Sequence, residues 1–310
     1  MSRTNSTTPM SEETILDAVI IGGSYAGLAA AMSLGRSLRH TLIIDDGKPC
    51  NRQTPHSHNF LTHDGHTPKE IATIAKEQVL AYPSVSWLDG RAITVNKETN
   101  GFSITLAAGQ IFQTKKLVLA SGIHDLLPAI PGFAECWGIT AIHCPYCHGY
   151  EFRAKATAIL AEGDRAYHLA GMVRNLTDKL TLISSPKNFN DTQLAALHRN
   201  EVTLLDVGLD AIDHEDGTIH SLQLSNGETL AVDALYAAVP FEQRDDIYQQ
   251  LGCALNEHGY IKVDGMQKTT VDGVYACGDN SSMMRSVATA VYTGNLTGAM
   301  VNRDLVDEQF

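Results

Sequence analysis

The sequence predicts an α/β protein built from two Rossmann-like nucleotide-binding domains, and two observations carry that expectation. An apolar run at residues 18–21 leads into a glycine turn and then an Ala-rich stretch, the order of strand, turn and helix. The same order returns in Ala156-Thr-Ala-Ile-Leu-Ala-Glu-Gly-Asp-Arg-Ala-Tyr-His-Leu-Ala. A second apolar run follows each of them, at residues 41–44 and 180–183, as expected of a strand returning beside the first.

The remaining elements fit this frame. Residues 1–13 are polar and rich in Ser and Thr, which reads as a disordered leader with no apolar signal segment. The strand at 41–44 ends in Asp45 and Asp46. Lys116-Leu-Val-Leu-Ala-Ser-Gly reads as a strand closing in small residues, Ala120 to Gly122. Short β pieces are expected at 102–106 and at 219–224, the latter before an Asn226-Gly227 turn. Gly273-Val-Tyr-Ala-Cys-Gly-Asp is a further strand, and it leads into an Ala- and Gly-rich helix over 286–301.

Composition bounds the function. The 310 residues suffice for one large domain or two moderate ones, with 44% hydrophobic and 19% charged residues, an ordinary globular balance. A net charge of −12 without a basic cluster argues against nucleic acid as a partner. No apolar run reaches the roughly 20 residues that span a bilayer, so no membrane role is expected. Six cysteines are too few for a disulfide-scaffolded secreted domain, and the cytoplasm is the expected location.

The turn Gly22-Gly23-Ser24-Tyr25-Ala26-Gly27 is a variant of GxGxxG. Gly22 makes the tight turn and Gly27 permits close helix–strand packing. Ser24 replaces the middle glycine, yet it is small enough for a pyrophosphate to approach the backbone and the helix N-terminus. Asp45 follows Gly27 by 18 residues, at the end of the second strand, where a carboxylate accepts from ribose hydroxyls. Near the C-terminus, Gly278-Asp279 and the helix start Arg285-Ser286-Val287 suit a flavin. Asp279 accepts from ribityl hydroxyls while the helix N-terminus faces the pyrimidine carbonyl. A simple N-cap role for Asp279 is the alternative.

The strongest local signal is His143-Cys144-Pro145-Tyr146-Cys147-His148-Gly149-Tyr150-Glu151. Thiols three positions apart at a helix start can close a disulfide ring, and neighbouring imidazoles favour the thiolate. His148 is placed to act as acid–base for the pair, or it is a surface histidine. Zinc is the competing reading, with His143, Cys144, Cys147 and His148 as possible ligands. A structural zinc site ordinarily needs a second ligand pair, and the sequence offers none, so no metal is expected. Cys50, Cys136, Cys253 and Cys277 read as structural.

These motifs, in this order from Asp17 to about Leu305, resemble the low-molecular-weight thioredoxin reductase family of flavoproteins. The resemblance implies two three-layer ββα domains, the second inserted into the first. FAD would be held by residues 14–121 and 243–310, and residues 122–242 would form an NAD(P)H-domain-like module carrying the CxxC. It adds Asn59, Ala120 and Gly122 to Gly22, Ser24, Ala26, Gly27, Asp45, Gly278, Asp279, Arg285, Ser286 and Val287 as cofactor-binding positions. It implies a homodimer, with Cys147 toward the flavin and Cys144 exchanging with substrate.

Two departures refine it. Thioredoxin reductases carry an acid directly after the second cysteine, whereas CxxCHGYE is similar to the gliotoxin-type dithiol oxidases. The second nucleotide loop reads Ala161-Glu162-Gly163-Asp164-Arg165-Ala166, whose two carboxylates oppose a pyrophosphate. Only Lys187 stands near the expected 2′-phosphate position, with Arg165 and Arg174 as the cations that could compensate, so ordinary NAD(P)H binding is not expected. The sequence therefore points to an FAD-dependent dithiol/disulfide oxidoreductase acting on a small dithiol or a thioredoxin-like protein, with oxygen or another electron partner. Without NADPH no domain rotation is needed, and the CxxC would stay against the flavin. The alternatives are an NADPH-dependent thioredoxin-disulfide reductase and a flavin-bound redox sensor with little turnover.

Overall fold

The computed structural model describes residues 15–310, and the expected leader at residues 1–13 lies outside them. The chain divides into two units. The first comprises the chain up to Pro49, Glu70–Ile123 and Gln243–Phe310, and the second comprises Cys50–Lys69 and His124–Glu242.

In the first unit, strands Val85–Asp89, Thr41–Asp45, Leu16–Ile21 and Ile111–Leu119 lie side by side and parallel. All six residues of Leu16–Ile21 are buried, as a central parallel strand with both faces covered requires. The strand Ile111–Leu119 is shared by two partners. Residues 111–114 pair antiparallel with Gly101–Leu106, which in turn pairs with Ala92–Glu98; residues 117–119 pair parallel with Val274–Ala276. This fork makes the three-layer ββα arrangement. The core between the parallel sheet and the meander is closed by Val19, Ile21, Leu42, Ile104, Leu117 and Leu119.

Helix Tyr25–Arg36 packs on the C-terminal helix Val287–Gln309, which runs eight residues beyond the 301 expected from the sequence. The contact depends on glycine. A Cβ on Gly294 would stand 2.1 Å from the Ala26 carbonyl oxygen, and one on Gly298 would stand 2.3 Å from that of Ala30.

In the second unit, five parallel strands run in the order Thr203–Leu205, Leu180–Ile183, Thr157–Leu160, Ala234–Ala237 and Ala141–Ile142. Helices Gly163–Arg174 and Asp191–Arg199 belong to this unit, the latter opened by a reciprocal cap between Asn190 and Gln193. An antiparallel meander of Leu209–Glu215, Thr218–Leu224 and Thr229–Ala231 supplies the third layer. Both units are thus Rossmann-like, and the second interrupts the first. Residues 50–69, expected with the first domain, group with the second, where Gln53 packs on Gly138 and His58 pairs with Glu151.

Candidate active site

In the first unit the glycine turn forms a tight backbone cradle. Gly22 has φ +104°, and a Cβ there would lie 2.2 Å from the Ala120 carbonyl oxygen. A Cβ on Gly27 would lie 1.8 Å from the Gly22 oxygen, so helix and turn touch through backbone alone. Ser24 is the N-cap of Tyr25–Arg36 in extended conformation, its side chain makes no cap bond, and no acid stands in the first turn. The Asp45 carboxylate accepts from Gly23 N–H at 2.5 Å and from Gly47 N–H at 2.8 Å, clamping the turn to the second strand. Trp87 walls the turn: a Cβ on Gly23 would meet its ring at 2.2 Å, and the Lys76 ammonium sits 3.5 Å above that ring. Neither residue was visible in the sequence pattern, because Trp87 reaches Gly23 only through the parallel pairing of strands.

The C-terminal motif joins the same cradle. Gly278, at φ +82°, donates from its backbone to Thr293 Oγ1 at 3.1 Å, and a Cβ on it would approach that of Ala26. Asp279 lies 3.9 Å from Arg285 Nε. Ser286 caps the C-terminal helix by accepting from Thr289 N–H, and Val287 is the first helical residue. Gly122 has φ +75° and open space where a Cβ would project. The completely buried Asn280 donates to the Leu119 carbonyl at 2.9 Å, while its Oδ1 has no partner among the described residues. Asn59 is the expected cofactor position that lies outside the first unit. It groups with the second unit, at φ +59°, with its N–H donating to Asp64.

In the second unit, Cys144 is the extended N-cap of the single helical turn Pro145–His148, and Pro145 occupies the first helical position. The Cys144 and Cys147 sulfurs are 2.7 Å apart, so disulfide closure needs little movement. His148 has its pKa lowered, chiefly because burial disfavours the imidazolium; nearby Glu151 opposes the shift and His58 reinforces it. His58 in turn lies between Asp64 at 3.6 Å and Glu151 at 3.5 Å. Trp137 stacks on His143 at 5.9 Å and donates from Nε1 to Asp125. His58 and Asp64 were missed from the sequence, where nothing local ties residues 58 and 64 to the dithiol.

No three His, Cys, Asp or Glu side chains converge as a metal-binding group among the described residues. Burial pushes the Cys136 thiol up to about 11 and the Cys277 thiol up to about 12, so both stay protonated, whereas Cys50 is exposed.

The second nucleotide loop opens helix Gly163–Arg174, with Glu162 at the N-cap and Asp164 in the first turn. A cavity of about 750 Å³ adjoins it, lined by Glu162, Arg165, Ser184, Ser185 and Asp206 among others. Two carboxylates thus face one guanidinium. Arg174 is committed elsewhere, to Asp178, Glu201 and the Asn200 carbonyl.

The chain matches the pyridine nucleotide-disulphide oxidoreductase family model over residues 16–294. It is 32% identical to thioredoxin reductase tcpT of Claviceps purpurea, covering 96% of each chain, and 28% identical to thioredoxin reductase sirT of Leptosphaeria maculans, covering 93% and 94%. Among solved structures, an oxidoreductase from Agrobacterium tumefaciens superposes with TM-score 0.88 at 34% identity over 94% of this chain and 99% of its own. HlmI superposes with TM-score 0.91 at 28% identity, over 97% and 96%. No described helix is long and apolar enough to cross a membrane. With the glycine cradle, the CxxC and this likeness along almost its whole length, the chain belongs to the pyridine nucleotide-disulphide oxidoreductase family, as a thioredoxin reductase-like member.

Proposed function

We propose that the protein is an FAD-dependent dithiol oxidase that closes disulfides in small dithiols and does not bind NADPH in the ordinary way. The observation that carries this reading is an acidic nucleotide cavity in the same unit as a complete CxxC-His motif. A pyrophosphate entering that cavity would meet Glu162 and Asp206, with Asp164 cancelling part of the positive helix end.

Family membership implies a flavin. The first unit fits FAD, because its cradle at Gly22 and Gly27 has no room for a Cβ and its helix start is free of acids. Gly22, Ser24, Ala26 and Gly27 would hold the pyrophosphate, and Asp45 the adenosine ribose. Ala120, Gly122, Gly278, Asp279 and the Arg285-Ser286-Val287 helix start would hold the flavin end. When bound, FAD supplies a two-electron acceptor for the Cys144–Cys147 dithiol, with oxygen or another acceptor downstream.

The protein's own residues account for the exchange half of the reaction. A substrate thiolate attacks the Cys144 sulfur of the disulfide, and the S–S bond breaks with its electron pair on Cys147. The second substrate thiolate then displaces Cys144, so the substrate leaves as a disulfide and the pair as a dithiol. Burial keeps His148 neutral, and an imidazole nitrogen can therefore take the substrate thiol proton near neutral pH. The family resemblance further supports a homodimer in the cytoplasm.

Aerobic turnover tests this. Reduced dithiothreitol should drive oxygen consumption by the yellow protein while NADPH drives none; rapid NADPH oxidation would overturn it. The second reading, an NADPH-dependent thioredoxin reductase, is favoured by the survival of the cavity and of Arg165 within it.

A further inference from the structure

Tyr236 lies in the strand Ala234–Ala237, in register with Ile142, two residues before Cys144. The residue is 1% exposed, and its hydroxyl has no hydrogen-bond partner among the described residues. The oxygen lies beneath the dithiol turn. A Cβ on Gly149 would stand 2.3 Å from the Pro145 carbonyl oxygen, 2.5 Å from Leu176 Cδ1 and 3.0 Å from the phenol oxygen, so the glycine at the end of the turn sits directly against that oxygen. Ile142, Ile159, Leu169 and Val173 complete an apolar cluster around the ring. Phenylalanine would fill that space equally well, so among the described residues the oxygen adds no hydrogen bond to the state described. In that state the two sulfurs face each other.

We propose that the Tyr236 hydroxyl is a hydrogen-bond donor held for the Cys144 sulfur, which it solvates, directly or over one bridging water, whenever exchange leaves a thiolate there. The inference rests on the redox reading of Cys144 and Cys147. A hydrogen bond to an ionised sulfur is stronger than one to a neutral thiol, so the donor acts selectively on the reduced pair. It makes Cys144 a better leaving group and a more abundant thiolate.

The phenol is suited to this because it does not ionise in competition. Burial first, then the charges of Cys144, Glu151 and Cys147, push its pKa up. The other titratable groups around the pair are His143, Tyr146 and His148 beside and between the cysteines, Tyr150 and Glu151 after them, and His58 and Asp64 behind Glu151. All of them remain in Tyr236→Phe, so that variant removes one O–H from an otherwise unchanged setting.

The test is the pH profile of iodoacetamide alkylation at Cys144, read by peptide mass on the yellow protein after anaerobic reduction with dithiothreitol. Tyr236→Phe should move the midpoint up by about one pH unit, and so slow alkylation roughly tenfold below it. Its thermal midpoint should equal or exceed that of the wild type. A midpoint of alkylation matching the wild type overturns the proposal, as does a loss of thermal stability, which would mean that the hydroxyl is already bonded in the resting state. The readout does not depend on turnover. Full dithiol turnover surviving in Cys144→Ser would instead remove the redox reading, and the proposal with it.

Discussion

Replacing Gly27 by alanine probes the dinucleotide cradle at its tightest point. The new Cβ would fall 1.8 Å from the Gly22 carbonyl oxygen, whereas real Cβ atoms essentially never come within 3.0 Å, so about 1.2 Å of movement is required. Neither side can give easily. Gly22 abuts the Ala120 carbonyl and donates to the Ile44 carbonyl at 2.8 Å, and Ala120 donates back to Ile21 at 2.8 Å. On the other side, Ala26 and Ala30 press against Gly294 and Gly298. Overpacking costs about 1–3 kcal/mol, and the rigid backbone contact puts this site at the upper end, offset by about 1 kcal/mol from alanine's helix propensity. The expected net loss is about 2 kcal/mol in the first unit, with a cradle displaced enough to lose flavin. The ratio of flavin to protein absorbance and a thermal melt read both effects. Gly171→Ala is the control: its Cβ meets nothing within 4 Å on a helix of the second unit, so it should stabilise by about 0.5–1 kcal/mol. A Gly27→Ala protein that keeps full flavin and melts with the wild type would refute the reasoning.

Other expectations concern the dithiol. Cys144→Ser should retain flavin yet lose more than about 1,000-fold in dithiol turnover, measured by oxygen uptake. His148→Gln should slow turnover about 100-fold and remove an acid limb whose midpoint lies below the ordinary imidazole value of 6.5. The stability consequence follows from the same lowering. The unfolded chain takes up a proton near pH 6.5 while the folded site refuses it, so stability falls as pH drops below that value, and His148→Gln should flatten the fall in pH-dependent melts. In native protein at about pH 8, iodoacetamide should modify Cys50 and the reduced pair but spare Cys136, Cys253 and Cys277, which unfolding would release; rapid native labelling of the three would contradict their buried, protonated state.

What the sequence reveals is what short-range physics imposes. Gly22 and Gly27 are visible because a backbone contact excludes every other residue, and the parallel strands are visible because burial on both faces leaves unbroken apolar runs. The CxxC is local, and so is His148. The missing parts arrive from afar. His58 and Asp64 come from a stretch without regular structure, which chain order alone assigns to the first domain and which groups with the second. Trp87 reaches Gly23 through strand order, and Tyr236 reaches the dithiol turn through the pairing of its strand with Ala141–Ile142. No periodicity distinguishes Tyr236 from any other apolar residue of a central strand, because only its unpaired oxygen sets it apart.

Anaerobic rapid mixing tests the central claim most directly. One portion of the oxidised yellow protein meets excess NADPH and another meets reduced dithiothreitol, with the flavin band followed in both. The acidic loop and the Cys144–Cys147 exchange predict that the dithiol bleaches the flavin, that air restores it, and that NADPH leaves it yellow. Fast bleaching by NADPH, with none by the dithiol, would contradict the account.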